Sequence, residues 1–101
     1  MDISICICTF RRQAMLHRLL EHLAGHDFGQ LDGEFVIIDN DPDASGLPVV
    51  EQWRARLPFP VVTGQVAEPN IALARNAALA VAKGRFLLII DDDEWPEPGW
   101  A

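Results

Sequence analysis

Strand-like and helix-like segments alternate along this chain from one end to the other, and that alternation admits few folds. Ile3 to Cys8 is a short apolar run closed by Thr9. Met15, Leu16, Leu19, Leu20 and Leu23 then recur at helical spacing, with Arg18, Glu21 and His22 opposite them and Gly25 as a stop. Phe35-Val36-Ile37-Ile38 reads as a second strand ending at Asp39. Val49, Val50, Trp53 and Leu57 mark a second helix, with Pro48 near its first turn. Val61 to Val66 is a weaker third strand, and Pro60 at its start suits a sheet edge because proline cannot donate to the ladder. Asn70 to Lys83 is an alanine-rich third helix stopped by Gly84, and Phe86 to Ile90 is the fourth strand.

Strand and helix in strict alternation imply parallel pairing through right-handed crossovers. The expected architecture is a three-layer, Rossmann-like α/β arrangement: four parallel strands in order 3-2-1-4 with flanking helices. The chain has 101 residues, half of them hydrophobic (50%), enough for a single domain with a core. No apolar run approaches the roughly 20 residues of a bilayer span. Ile3 to Cys8 is too short for a signal-peptide core and lacks a preceding cationic segment, so a cytoplasmic location is expected. A formal net charge of −7 argues against nucleic acid as a partner. Cys6 and Cys8, two apart in a strand, should face one side of the sheet as small buried hydrophobes.

The fourth strand runs directly into Asp91-Asp92-Asp93-Glu94. Its five large apolar residues are expected to be buried on both faces. Four acids at its mouth repel one another, which a cation relieves. Hard divalent ions such as Mg²⁺ bind through one or two carboxylates together with substrate phosphates. Strand alternation turns Asp91 and Asp93 one way and Asp92 and Glu94 the other, without deciding which of the first two touches the ion. In an open α/β sheet, ligands bind beyond the carboxyl ends of the strands. Thr9, Asp39-Asn40-Asp41 and Asp91-Asp92-Asp93 all follow strand ends, so one rim should collect them.

Other readings of these residues carry less. Asp39 to Asp43 has acids at alternate positions like a calcium loop, but Ala44 and Val50 stand where that loop needs Gly and Glu. A carboxylate at a strand end can instead accept from a base N–H or a ribose hydroxyl, although Asp, Asn and Pro are also turn formers. Asn70 is a candidate N-cap. Arg75 is the one charge between Ile71 and Val81; it either reaches a ligand or partners Asp39 or Asp91. His17, His22 and His26 read as a solvated face. No P-loop, G-x-G-x-x-G or Ser/His/Asp order occurs.

Taken together, four segments resemble the N-terminal half of a family 2 glycosyltransferase of the GT-A fold. They are Ile5-Cys6-Ile7-Cys8-Thr9-Phe10-Arg11-Arg12, Val36-Ile37-Ile38-Asp39-Asn40-Asp41, Ala74-Arg75-Asn76-Ala77-Ala78-Leu79, and Gly84-Arg85-Phe86 through Glu94. The resemblance implies that Thr9 and Asp39 hold the base of a nucleotide sugar, usually uracil, and that Arg75 supports the pocket. Asp91 and Asp93 would be the D-x-D pair meeting ribose and a Mn²⁺ or Mg²⁺ ion on the diphosphate. The expected nucleotide-sugar set is thus Thr9, Asp39, Asp41, Arg75, Asp91 and Asp92, and the metal set Asp93 and Asp91.

The family continues past residue 101 into an acceptor-binding half that carries the catalytic base. Residues 1–101 are therefore expected to be the nucleotide-sugar-binding portion of a truncated domain. Turnover would need the rest, although Glu94 and Glu97 are nearby carboxylates. The parent acceptor would be a glycan or lipid-linked hydroxyl, and uncovered core residues such as Leu87 and Ile89 make self-association an expectation. Asn70 stands where the family often has glycine; asparagine's tolerance of left-handed backbone would preserve the loop. Two rivals are a receiver-type phosphotransfer domain, which wants an acidic pair where Thr9-Phe10-Arg11 stands, and a non-catalytic metal- or nucleotide-binding module.

Overall fold

A computed structural model describes residues 1–11, 13–68 and 70–91, with the backbone alone for Ile71 and Asp91. Four strands, β1 (Ile3–Thr9), β2 (Gly33–Asp39), β3 (Val61–Gln65) and β4 (Phe86–Asp91), form one sheet in the order β3-β2-β1-β4. All pairings are parallel. Three helices connect them: α1 (Gln13–Ala24), α2 (Leu47–Trp53), extended by a 3₁₀ turn at Arg54–Arg56, and α3 (Ile71–Val81). The expected order and layering hold.

Period-two alternation sorts the strands' side chains into two cores. On one face Ile5, Ile7, Phe35 and Ile37 meet Leu16, Leu19, Leu20 and Leu23 of α1 and Val50 and Trp53 of α2. Each fully buried leucine contributes about 2 kcal/mol of transfer free energy. On the other face Cys6, Cys8, Val36 and Ile38 lie under Ala74 and Ala78 of α3, where short side chains let the helix approach closely. Burial pushes the Cys6 thiol above its ordinary range, with the Glu34 charge adding to it, as expected of an inert small hydrophobe.

One expectation is corrected here. The apolar run Phe86–Ile90 is not covered on both faces, because β4 is an edge strand of the described sheet. Ile90 is buried, but Phe86, Leu87 and Ile89 are 70%, 46% and 40% exposed. Hydrophobicity along a strand registers its wish to be covered and not what covers it.

The start of β4 is anchored by a buried polar clamp. Ser4 Oγ donates to Glu34 Oε2 at 2.6 Å, Lys83 N–H donates to the same oxygen at 2.7 Å, and Gly84 N–H donates to Ser4 Oγ at 2.7 Å. Gly84 passes so close to β1 that a Cβ there would lie 2.5 Å from Ile3 C and Ser4 N. This clamp sits at the amino ends of the strands, opposite the rim that gathers the candidate site.

Candidate functional site

Parallel register brings the carboxyl ends of β1, β2 and β4 to one edge. Thr9 pairs with Asp39, Cys8 with Asp91, and Asp39 with Gln65 of β3. Thr9, Asp39, Asn40 and Asp41 are all buried there, which is unusual for three polar or acidic residues in succession. The expected convergence on one rim thus holds for Thr9, Asp39, Asp41 and the backbone of Asp91. Asp92 and Asp93 lie outside the described residues, as do Glu94 and Glu97. Arg75 is half-buried on α3, about one turn in from the same end.

Asn40 ties the rim together. Its backbone N–H donates to Thr9 O at 2.7 Å. Its side-chain Nδ2 donates to Val66 O at 2.9 Å and Glu68 O at 2.6 Å, and its Oδ1 accepts from Asn70 N–H at 3.0 Å. Asn70 in turn caps α3, its Oδ1 accepting from the backbone of Ala72 and Leu73. The N-cap expectation holds, but Asn70 is extended (φ −147°), so no left-handed geometry is asked of the residue that replaces glycine.

Asp41 is the keystone of the loop from β2 to α2. Its Oδ1 accepts from Arg11 Nε at 3.0 Å and Asp43 N–H at 3.1 Å. Its Oδ2 accepts from Ser45 N–H at 3.3 Å and from the Ser45 hydroxyl. The Ser45 hydroxyl, backed by the Asp43 and Ser45 amides and Arg11, holds this carboxyl well below the usual range despite its burial. Arg11 (φ 50°) and Ala44 (φ 53°) both adopt left-handed backbone, where a side chain is disfavoured. Such strain persists only where surrounding contacts enforce it, as this carboxylate does.

That loop delivers one donor to Asp39. Gly46 N–H donates to Asp39 Oδ2 at 2.7 Å, while Oδ1 is buried with no hydrogen-bond partner among the described residues. The Asp41 and Leu47 amides also lower the carboxyl's pKa without reaching Oδ1 in hydrogen-bond geometry. Burial is the larger influence and pushes the Asp39 carboxyl above its ordinary range, helped by the Asp41 charge. A buried, half-satisfied carboxylate is costly to keep. Its chemistry is that of an acceptor awaiting an N–H or O–H.

Sequence reasoning placed Asn40 on the rim without giving it a role of its own, and did not single out Ser45 or Gly46. Their signal is an Asn and an Asp just past a strand, followed by Ser-Gly, a turn pattern that also builds sites. Among the described residues no cluster of three or more His, Cys, Asp or Glu is arranged to hold a metal, and no helix is long and apolar enough to cross a membrane. His17 and His22 are exposed, and His17 Nδ1 accepts from Trp53 Nε1–H at 2.9 Å.

Comparison with known proteins follows the same lines. The sequence model described as Glycosyl transferase family 2 matches residues 4–101. The succinoglycan biosynthesis protein ExoM of Rhizobium meliloti is 31% identical over 100 residues, covering 99% of this chain and 32% of that protein. The poly(ribitol-phosphate) beta-N-acetylglucosaminyltransferase TarS of Staphylococcus aureus is 30% identical, over 94% of this chain and 17% of its own length. A solved structure of TarS 1–349 in complex with UDP-GlcNAc superposes with a TM-score of 0.76 at 30% identity, covering 94% of this chain and 27% of that one. The mannosyltransferase PcManGT of Pyrobaculum calidifontis, in complex with GDP-Man and Mn2+, shares the fold (TM-score 0.79, 22% identity, 96% of this chain and 29% of that one). The chain thus spans a third or less of the length of these relatives.

Proposed function

This chain belongs to glycosyl transferase family 2, and on that premise we propose that it is the N-terminal, donor-binding part of a glycosyltransferase. The parent enzyme moves a sugar from a nucleoside-diphosphate sugar, UDP-linked, to a hydroxyl of a glycan or lipid-linked acceptor. The observation that carries this reading is Asp39: a buried carboxylate at the ligand-binding end of a parallel sheet, one oxygen held by Gly46 N–H and the other without a partner among the described residues. A base N–H supplies the missing donor. TarS, 30% identical, is solved with UDP-GlcNAc, which supports a uridine donor.

In this reading Thr9 flanks the base on β1 and Arg75 supports the pocket from α3. Asp41 shapes the site instead of touching the nucleotide, since both its oxygens are engaged by Arg11, Asp43 and Ser45. Asp91 and Asp93 would hold a divalent ion, Mn²⁺ or Mg²⁺, and Asp92 is assigned to the nucleotide sugar. The backbone of Asp91 pairs in register with Cys8, the residue before Thr9, and carboxylate oxygens are the ligands that such a hard cation prefers. When bound, the ion offsets charge growing on the diphosphate leaving group. Deprotonation of the acceptor hydroxyl falls to a base beyond Ala101. Free, buried Cys6 and Cys8 agree with a reducing, cytoplasmic setting.

Isothermal calorimetry with UDP and Mn²⁺ tests the proposal. Binding is expected with metal and is lost on chelation or in Asp93→Ala, whereas His22→Ala on the exposed face of α1 retains it. Absence of heat with every nucleoside diphosphate, metal present, overturns it.

A further inference from the structure

We infer that Arg11 is a positioning residue for nucleotide binding: it acts through Asp41 to hold the loop from β2 to α2 in the shape that completes the site, without touching the nucleotide itself. This rests on the nucleotide reading above and adds a role for a residue outside the expected nucleotide set.

Two segments meet at the rim. Arg11 lies between β1 and α1; its Nε donates to Asp41 Oδ1 at 3.0 Å and its Nη2 to Asp43 Oδ2 at 3.4 Å, both between β2 and α2. The same guanidinium lies over the Phe10 ring, 5.5 Å from its centroid. The segments are also close-packed beside the strand ends, since a Cβ on Gly46 would stand 3.0 Å from Thr9 Cγ2. Asp41 passes the restraint along the loop. Its Oδ2 accepts from Ser45 N–H at 3.3 Å, and the next residue, Gly46, donates to Asp39 Oδ2 at 2.7 Å. Arg11 thus stands at the outer end of a bonded path that finishes on a site residue.

The backbone shows that this pairing is imposed. Arg11 (φ 50°) and Ala44 (φ 53°) are the only non-glycine residues with positive φ among the described residues, and they lie on the two segments that Asp41 joins. Such strain gathers at ligand sites and persists only under enforcing contacts. Folding alone does not call for it. The Arg11 side chain is 54% exposed, and ion pairs so exposed contribute little to stability. Asp41, buried, keeps the Asp43 amide and both Ser45 donors when the guanidinium is removed. What Arg11 supplies is a fixed relation between the two segments, which lowers the ordering cost of binding.

Glycine separates the two roles, because it takes left-handed backbone without strain while deleting the side chain. Arg11→Gly should melt within about 4 °C of wild type, as relief of strain offsets the lost ion pair. Its affinity for UDP with Mn²⁺, read by calorimetry, should nevertheless fall about 5- to 20-fold, because the loop keeps its competent shape only roughly 5–20% of the time. The Gly46 amide should exchange with solvent faster, while the Gly84 amide, in the clamp at the opposite end, should not. In an Asp41→Asn background, adding Arg11→Gly should change UDP affinity by less than about twofold, the mark of a residue acting through Asp41.

If Arg11→Gly binds UDP as wild type does, or weakens it equally with and without Asp41→Asn, the positioning inference fails while the nucleotide reading stands. Faster exchange across the whole sheet marks a purely structural role and overturns the inference too. If no nucleoside diphosphate binds wild type, the nucleotide reading itself fails. Should Arg11→Gly not fold, as a melting curve would reveal, Arg11→Gln takes its place under the same criteria of affinity and coupling.

Discussion

Asn40→Ala should cost more than any other single truncation on the rim, because one side chain holds two loops and a helix start. It removes the bonds from Nδ2 to Val66 O and Glu68 O and from Asn70 N–H to Oδ1. A typical intramolecular hydrogen bond contributes about 1 kcal/mol net, and a buried group left unpaired costs about 1–3 kcal/mol. Glu68 and Asn70 are exposed, so water recovers part of two bonds; Val66 is half-buried and recovers less. The expected loss is therefore about 2–3 kcal/mol, a fall of roughly 8–24 °C in melting temperature for a domain this size. Urea titration with an unchanged m-value measures it. Hydrogen exchange locates it: the Val66 amide, bonded to Asp39 O at 2.9 Å, should exchange faster by a larger factor than amides in the middle of β1. Asn40→Asp should be worse at neutral pH, since a carboxylate would face two carbonyls, and should recover in acid as a proton restores one donor. A loss below about 0.5 kcal/mol for Asn40→Ala, or uniform acceleration of exchange across the sheet, would refute the reasoning.

Gly84→Ala places a methyl 2.5 Å from two β1 backbone atoms that cannot step aside, so about 2–4 kcal/mol of stability should be lost in denaturant titration; a neutral outcome would mean the turn from α3 to β4 is not where described. Asp41 and Asp39 should pull acid stability in opposite directions. Asp41, depressed in the fold, stabilises above its ordinary 3.8 and loses this as pH falls through its lower folded value; Asp39, raised, gains stability as pH falls toward 3.8. Urea midpoints from about pH 2 to 6 should therefore show a shallower acid decline in Asp41→Asn than in wild type, referred to each protein's neutral value, and an equal slope would contradict the loop's electrostatics. With Phe86, Leu87 and Ile89 exposed on an edge strand, the chain of this length should self-associate, and Leu87→Lys with Ile89→Lys should return it to monomer with stability changed by about 0.5 kcal/mol or less. Sedimentation velocity over a concentration series reads this, and a wild type that stays monomeric throughout sinks it.

Much of the architecture was legible because two periodicities and a handful of punctuating residues encode it. Leu16, Leu19, Leu20 and Leu23 announce α1 whatever lies beneath them, and Pro60 marks β3 as an edge. The rim was legible for the same reason: strand ends are easy to find, and parallel pairing does the rest. What escaped is set by three-dimensional neighbours. Phe86 and Ile90 look alike in a run of five, yet one is uncovered and the other buried. Asp39 and Asp41 are two places apart and equally acidic. Only the loop's closure shows that one is fully employed in structure while the other keeps an oxygen in reserve. Gly46 carries no signal beyond the Ser-Gly turn pattern, because its contribution is a backbone hydrogen and the absence of a side chain.

The position of β1 has a consequence for how the molecule is made. It is synthesised before the other described strands, yet it lies between β2 and β4, and its register partners on the second side, from Phe86 onward, belong to the last described strand to be translated. While the intervening chain emerges, Ile5 and Ile7 can settle against α1 and β2, but the opposite row of β1 amides and carbonyls must wait. Pairings that distant in the chain form slowly and leave a sticky edge open meanwhile. A nascent polypeptide arrested before β4 should therefore be a chaperone client, and release of β4 from the ribosome should weaken that dependence by closing the open edge of β1.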